Sequence, residues 1–226
     1  MEKVNPKEFS KSKTDLAGDV LRNPKSSEGD KNNALKILSN WRAAHSYPMH
    51  IFKKRLKNVS EKTDKGALSA QRLKRVPSII KKLNRSYEGN KPTMKLTQMQ
   101  DIAGCRAVMS NAKLVNNLYQ EYYLRGDLKH KRVNEKNYIM SPKADGYRSI
   151  HLVYRYSSDK GKKDYNGLLV EVQIRSKLQH LWATAVETVD FFTRQAIKSN
   201  EGQKEWVSFF RLVSSAFAQF ENSPIV

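Results

Sequence analysis

SIHLVYRYSSDKGKKDYNGLLVEVQIR, residues 149–175, holds two runs of alternating character joined by a turn rich in Gly and Lys. In the second run Val170, Val172 and Ile174 share one face while Glu171, Gln173 and Arg175 share the other, because successive strand side chains point to opposite sides. In the first run Ile150, Leu152 and Tyr154 alternate with Ser149, His151 and Arg155. Residues 149–156 and 168–175 therefore read as a β-hairpin. Its apolar side can take helices, and its other side carries a Glu, a Gln, a His and arginines. A merely solvated face gives the same alternation, so period alone assigns no chemistry to the polar side.

Working outward, residues 177–197 read as a long helix with Leu178, Leu181, Trp182, Ala185, Val189 and Phe192 as its buried stripe. Trp206, Phe209, Phe210, Val213 and Phe217 mark a final amphipathic helix. On the N-terminal side of the hairpin, Pro142 and Gly146 punctuate a turn, residues 129–137 are polar and basic, and residues 111–124 read as a helix. DIAGCRAVM, residues 101–109, reads as a strand after a short polar turn. In QRLKRVPSIIKKLNR, residues 71–85, Pro77 suits the first turn of a helix, where its missing N–H costs nothing. Arg72 and Lys74 then share one side of an extended lead-in, and Ser78 and Lys82 share a helical face. Leu35, Leu38, Trp41, Ala44, Phe52, Leu56 and Val59 recur at helical spacing, and residues 1–30 are polar enough to be mobile or loosely helical.

The chain has 226 residues, enough for one core with a smaller appendage, and 38% of them are hydrophobic. The formal charge of +20 attracts polyanions, which makes nucleic acid, nucleotides and anionic membranes the candidate partners; the plain alternative is a basic surface that keeps the chain soluble. One cysteine, Cys105, excludes a disulfide scaffold or a cysteine-built metal site within one chain. No apolar run can span a bilayer and the N-terminus lacks a signal-peptide core, so a cytoplasmic protein with no membrane partner is expected. A Walker phosphate loop, a dinucleotide-type Gly fingerprint and internal repeats are absent from the sequence.

Asp101 and Glu171 stand at strand positions in basic surroundings. Carboxylates facing a basic cleft can hold Mg²⁺ and accept a proton from an attacking hydroxyl; salt bridges to nearby Arg or Lys are the structural alternative, and the pattern alone favours it. Four blocks shift that balance. QRLKRVPSIIKK, DIAGCRAVM, SPKADGYRSIH and VEVQIRS resemble, in order, four segments of the RelA/SpoT family of nucleotidyl pyrophosphokinases.

The resemblance implies an α+β fold: a mixed, mainly antiparallel sheet of about five strands flanked by helices, with N- and C-terminal helices. It implies a mobile or helical segment over 1–32, a synthetase domain over 33–200 and a C-terminal helix over 201–226. It implies an enzyme that moves the β,γ-pyrophosphate of ATP to a ribose 3′-hydroxyl with Mg²⁺. Arg72, Lys74, Ser78, Lys82 and Arg106 match ATP-binding positions. Asp101 matches the metal ligand, and Glu171 the acidic residue that activates the hydroxyl and shares the metal. Tyr147 matches the aromatic that stacks on the acceptor base, and Lys143, His151, Gln173 and Arg175 match acceptor-site positions. Trp182 is read as core, and Glu187 is left open.

The wording of the first two blocks is most similar to the toxic small alarmone synthetases of toxin–antitoxin systems. With the +20 charge, that favours the 3′-terminal adenosine of tRNA as acceptor and an antitoxin as a further partner. GDP or GTP, giving (p)ppGpp, is the alternative, and a non-catalytic basic RNA-binding module is the third. Asp145 stands where the family often has Asn, which is expected to alter base recognition.

Overall fold

A computed structural model of the chain describes residues 8–86, 90–193 and 203–226. The alternation of residues 149–175 folds as the hairpin it implies: β4 (Ile150–Arg155) and β5 (Leu169–Ser176) pair antiparallel, with Leu152 opposite Val172. Three further strands, β1 (Leu68–Leu73), β2 (Ala103–Met109) and β3 (Lys131–Asn137), complete a five-stranded sheet of order β1-β2-β5-β4-β3. Only β2 and β5 run parallel; the other three pairs are antiparallel. This is the expected mixed, mainly antiparallel sheet. β1 includes Gln71 and Arg72 of the expected extended lead-in, whereas β3 forms from residues read only as polar and basic.

The apolar face of the sheet supplies the main core. Cys105, Leu152, Tyr154, Val172 and Ile174 meet Phe52 and Leu56 of α3 (Ser46–Thr63) and Val115 and Leu118 of α5 (Ala112–Leu118). Each buried aliphatic or aromatic side chain there contributes about 1.5–3 kcal/mol relative to exposure. Asn111 caps α5, accepting from Leu114 N at 3.0 Å, and the helix runs on through a wider π-type turn to Leu124. A second cluster joins Leu38 and Trp41 of α2 (Glu28–Ala44) to Ile79 and Leu83 of α4 (Val76–Leu83) and to Leu96, Met99 and Ile102. Pro77 lies in the first turn of α4, as its chemistry favours.

The N-terminal segment takes the helical of its two expected forms. Residues 1–7 lie outside the described residues, but Lys11–Arg22 form a regular helix, α1, capped by Ser10, and α2 runs through the expected boundary at residue 32. The reason is tertiary. Asp15 accepts from Thr97 N and Oγ1, both at 2.9 Å, Lys95 reaches Asp19 at 2.7 Å, and Ala17 is buried.

The C-terminal helices form as expected, α6 (Lys177–Thr193) and α7 (Lys204–Phe220), but α6 departs in detail. Residues 194–197, the expected end of α6, and the boundary expected at 200 lie outside the described residues. The buried face of α6 is Gln179, Trp182, Ala183 and Val186, while Leu181 is 59% and Phe192 77% exposed. The helix is turned so that Trp182 meets Phe210 of α7, its indole N–H donating to the Phe210 carbonyl at 2.7 Å. Among the described residues no helix is long and apolar enough to cross a membrane.

Candidate active site

Strand register sets out the polar face in rows. One row runs Ala70–Arg106–Gln173–His151 and the next runs Arg72–Gly104–Glu171. In the second row Gly104 has no side chain, and a Cβ there would meet nothing nearer than the Arg72 carbonyl oxygen at 3.9 Å. The gap opens into a cavity of about 210 Å³, walled by Arg72, Asp101, Arg106, Glu171, Gln173 and Glu187. The two carboxylates singled out in the sequence therefore face one cleft with two arginines.

Asp101 sits just before β2, clamped by two ammonium groups: Lys74 Nζ at 3.0 Å and Lys82 Nζ at 2.8 Å. Lys74 follows β1 and Lys82 lies on α4, so the strand–helix connection at Pro77 brings both to one carboxylate. Burial opposes ionisation of Asp101, but Lys82 and Lys74 outweigh it and hold the carboxyl below its ordinary range. Ser78 is exposed on α4, one turn before Lys82.

Glu171 is held from behind. His151 Nδ1 lies 2.9 Å from Oε1, and Gln173 Nε2 donates to Oε2 at 2.7 Å. Burial would raise its pKa; the hydrogen bonds from His151 and Gln173 override that and lower it. Gln173 Oε1 accepts from Arg175 at 2.7 Å and Arg106 at 3.2 Å. Burial, and then the neighbouring Arg175 charge, pull the Arg106 guanidinium below its ordinary value. Cations crowded this closely suit an anion placed between them.

Tyr147 follows the 142–146 turn. Its hydroxyl is 2.7 Å from His151 Nε2 and accepts from Arg175 at 3.1 Å; Lys143 and Arg175 lie over its ring at 5.1 and 5.6 Å. Burial raises the Tyr147 phenol, so it keeps its proton. The turn is fixed from both sides. Asp145 Oδ1 accepts from Tyr147 N at 2.8 Å, and Ser214 of α7 donates to the Gly146 carbonyl at 2.6 Å. Gly146 has φ +91, and a Cβ there would fall 2.8 Å from Ser214 Cβ, so this position requires glycine. Asp145 is buried and its Oδ1 bonds within its own turn, a contact an Asn oxygen makes equally well.

The register thus separates the sequence candidates. Arg72, Asp101, Arg106, Glu171 and Gln173 line the cavity, Lys74 and Lys82 brace it through Asp101, and Tyr147, Lys143, His151 and Arg175 form an adjoining group. Among the lining residues that went unassigned in the sequence are Gly104 and Glu187. A glycine inside a strand signals a bulge or close approach, and that signal was available for Gly104. Glu187 needed the rotation of α6. Cys105 is on the other face, its thiol donating to the Met49 carbonyl at 3.3 Å and pushed up to about 12 by burial.

Among the described residues no three His, Cys, Asp or Glu side chains converge as a metal cage. Mg²⁺ is commonly held by one or two carboxylates together with substrate phosphates and water. Asp101 and Glu171 fit a cation of that kind, completed by phosphate oxygens.

The chain is 33% identical over 122 residues to GTP pyrophosphokinase YjbM of Bacillus subtilis, a match covering 53% of this chain and 54% of that protein. The chain thus spans about half the length of that relative. The fold is that of small alarmone synthetase 1 from Bacillus subtilis: the form bound to its product pppGpp superposes with a TM-score of 0.68 at 22% identity, covering 83% of this chain and 94% of that one. The form bound to AMPCPP gives 0.60 at 21%, covering 83% and 93%. The profile of the region found in RelA/SpoT proteins matches residues 71–191, more than half of the chain and every cleft residue described above except Ala70. The chain belongs to the RelA/SpoT family.

Proposed function

We propose that the chain transfers the β,γ-pyrophosphate of ATP to the 3′-hydroxyl of a guanosine nucleotide. The observation that carries this reading is the cleft in which Asp101 and Glu171 face Arg72 and Arg106. Lys74, Lys82, Arg72 and Arg106 neutralise the triphosphate, whose charge spreads over several oxygens during transfer. A divalent cation shared by Asp101, Glu171 and the phosphates would supply further charge neutralisation. Tyr147 stacks on the acceptor base, which brings the ribose towards Glu171. As the 3′-oxygen bonds to the β-phosphorus, the bridge between the α- and β-phosphorus breaks, its oxygen leaves on AMP, and Glu171 receives the hydroxyl proton. Alignment of the two reactants supplies ~7–11 kcal/mol of the barrier, and a positioned base adds roughly 10²–10⁴-fold.

Guanosine is preferred over tRNA because both the relative named as a GTP pyrophosphokinase and the structure solved with pppGpp concern guanosine nucleotides. The tRNA reading, with an antitoxin as partner, keeps the +20 charge in its favour. γ-labelled ATP with Mg²⁺ and GDP, GTP, AMP or tRNA in parallel reactions decides between them. Label in GDP and GTP alone is expected. Label in tRNA alone establishes the second reading, and no label in any acceptor leaves a basic module without this chemistry. Glu171→Gln keeps the shape and loses the base; kcat is expected to fall at least ~100-fold with ATP affinity within a few-fold.

A further inference from the structure

Behind the cleft the hydrogen bonds form a directed chain. A guanidinium can only donate, so the Tyr147 oxygen accepts from Arg175 at 3.1 Å. The Glu171 carboxylate can only accept, so His151 Nδ1–H donates to Oε1 at 2.9 Å, and in the neutral ring Nε2 accepts the Tyr147 proton at 2.7 Å. Gln173 closes the other side, donating to Oε2 at 2.7 Å while its own oxygen is held by Arg175 and Arg106. Neither His151 nor Tyr147 belongs to the cavity wall; Glu171 does. An imidazole bonded at both nitrogens cannot rotate, and each Glu171 oxygen, one held by His151 and one by Gln173, keeps a lone pair for the acceptor hydroxyl.

We propose that the Tyr147 hydroxyl and His151 form a strut that aims Glu171 at the acceptor 3′-hydroxyl, so that the residue gripping the acceptor base through its ring also sets the base catalyst through its hydroxyl. This rests on the pyrophosphokinase reading. His151 and the Tyr147 hydroxyl are positioning groups: the proton released as the 3′-oxygen bonds to phosphorus stays on Glu171 until water takes it, and the strut changes no bonds. The two parts of Tyr147 then have separable effects, the ring on acceptor binding and the hydroxyl on turnover, because a misplacement of ~1 Å at a reacting group can cost about 10²-fold.

The test measures kcat and KM for GDP and for ATP in wild type, Tyr147→Phe, His151→Asn, His151→Ala and the Tyr147→Phe/His151→Ala double variant, with thermal melts alongside. Tyr147→Phe is expected to keep KM for GDP within about twofold and lower kcat about tenfold. His151→Ala is expected to lower kcat about 100-fold, and His151→Asn, whose amide can still donate to Glu171, to recover roughly tenfold of that loss. The double variant is expected to be no more than about twofold slower than His151→Ala, because both changes cut one chain. The strut is overturned if Tyr147→Phe raises KM for GDP with kcat intact, leaves both constants unchanged, or multiplies its loss with that of His151→Ala. An active wild type with any of those results sinks the strut alone; a wild type that transfers nothing to any acceptor sinks the pyrophosphokinase reading and the strut with it.

Discussion

Asp101 and Glu171 carry the same group in one cleft, and their partners divide the labour. Two ammonium groups within 3.0 Å keep Asp101 ionised and engage both of its oxygens, and its charge in turn occupies Lys74 and Lys82. Asp101→Asn removes that competition. Without divalent cation, ATP is expected to bind Asp101→Asn severalfold more tightly than wild type, because both lysines turn fully to phosphate, while turnover with Mg²⁺ falls at least ~10-fold. Calorimetry in chelator checks this; weaker binding in the variant means the lysines need Asp101 to hold them in place. Gly104 gives the complementary case. Its φ is not positive and the space above it is the cleft itself, so Gly104→Val suits the strand and fills the site. Melting within about 4 °C of wild type is expected, with at least ~10-fold loss of ATP affinity. A variant that unfolds instead makes Gly104 a packing residue.

At the scale of elements, the junction of α2 and α3 holds a buried titratable group. His45 is 1% exposed, its Nδ1 bonded to the Trp41 carbonyl at 2.8 Å, and burial lowers its pKa from 6.5 to about 4. The neutral ring is the folded form, and the unfolded chain takes up the proton first as pH falls. Its contribution is therefore complete above pH 6.5 and lost as pH falls towards 4, about 3 kcal/mol in all at ~1.4 kcal/mol per pH unit. Urea midpoints of wild type and His45→Asn across that window test this; parallel profiles refute it. The elements also mark what the sequence discloses. β4 and β5 were legible because they lie in the sheet interior, apolar on one face and polar on the other. β3, KRVNEKN, was not, because as an edge strand it owes its form to pairing with β4. Polar α1 owes its form to Asp15–Thr97 and Asp19–Lys95, contacts about 80 residues apart that no local pattern records. On α6 the period holds and the phase holds in part: Trp182 is buried as expected and Leu178 and Val189 are half-buried, but Leu181, Ala185 and Phe192 face outward while Ala183 and Val186 face in. The cleft residues were legible through four short blocks, but the gap at Gly104 and the chain from Arg175 to Glu171 arise from cross-strand register, which a single strand does not encode.

For the whole molecule, the +20 charge looks like a single argument for a large polyanion until it is placed on the fold. α3 covers the apolar face of the sheet, so exposed Lys54 and Lys57 lie on the far side from Glu171 and Arg72. That part of the charge cannot reach a nucleotide in the cleft, and a polymer whose end enters the cleft would have to wrap the sheet to use it. The Lys54→Glu/Lys57→Glu pair lowers the formal charge from +20 to +16. It costs no more than about 0.5 kcal/mol of stability where residue 57 faces Glu61. With GDP as acceptor, kcat/KM is expected to stay within about twofold of wild type at ~0.1 M salt and above, because charges beyond a Debye length of ~8–10 Å are screened there. Wild-type activity should fall only several-fold between 50 and 200 mM salt, since a free nucleotide presents few phosphates, whereas six to ten polymer contacts would lose roughly 10³–10⁵. A steep salt dependence that flattens in the double variant would mean that the far face takes part in acceptor binding. A nucleic acid spanning both sides of the sheet would then displace guanosine nucleotide as the acceptor.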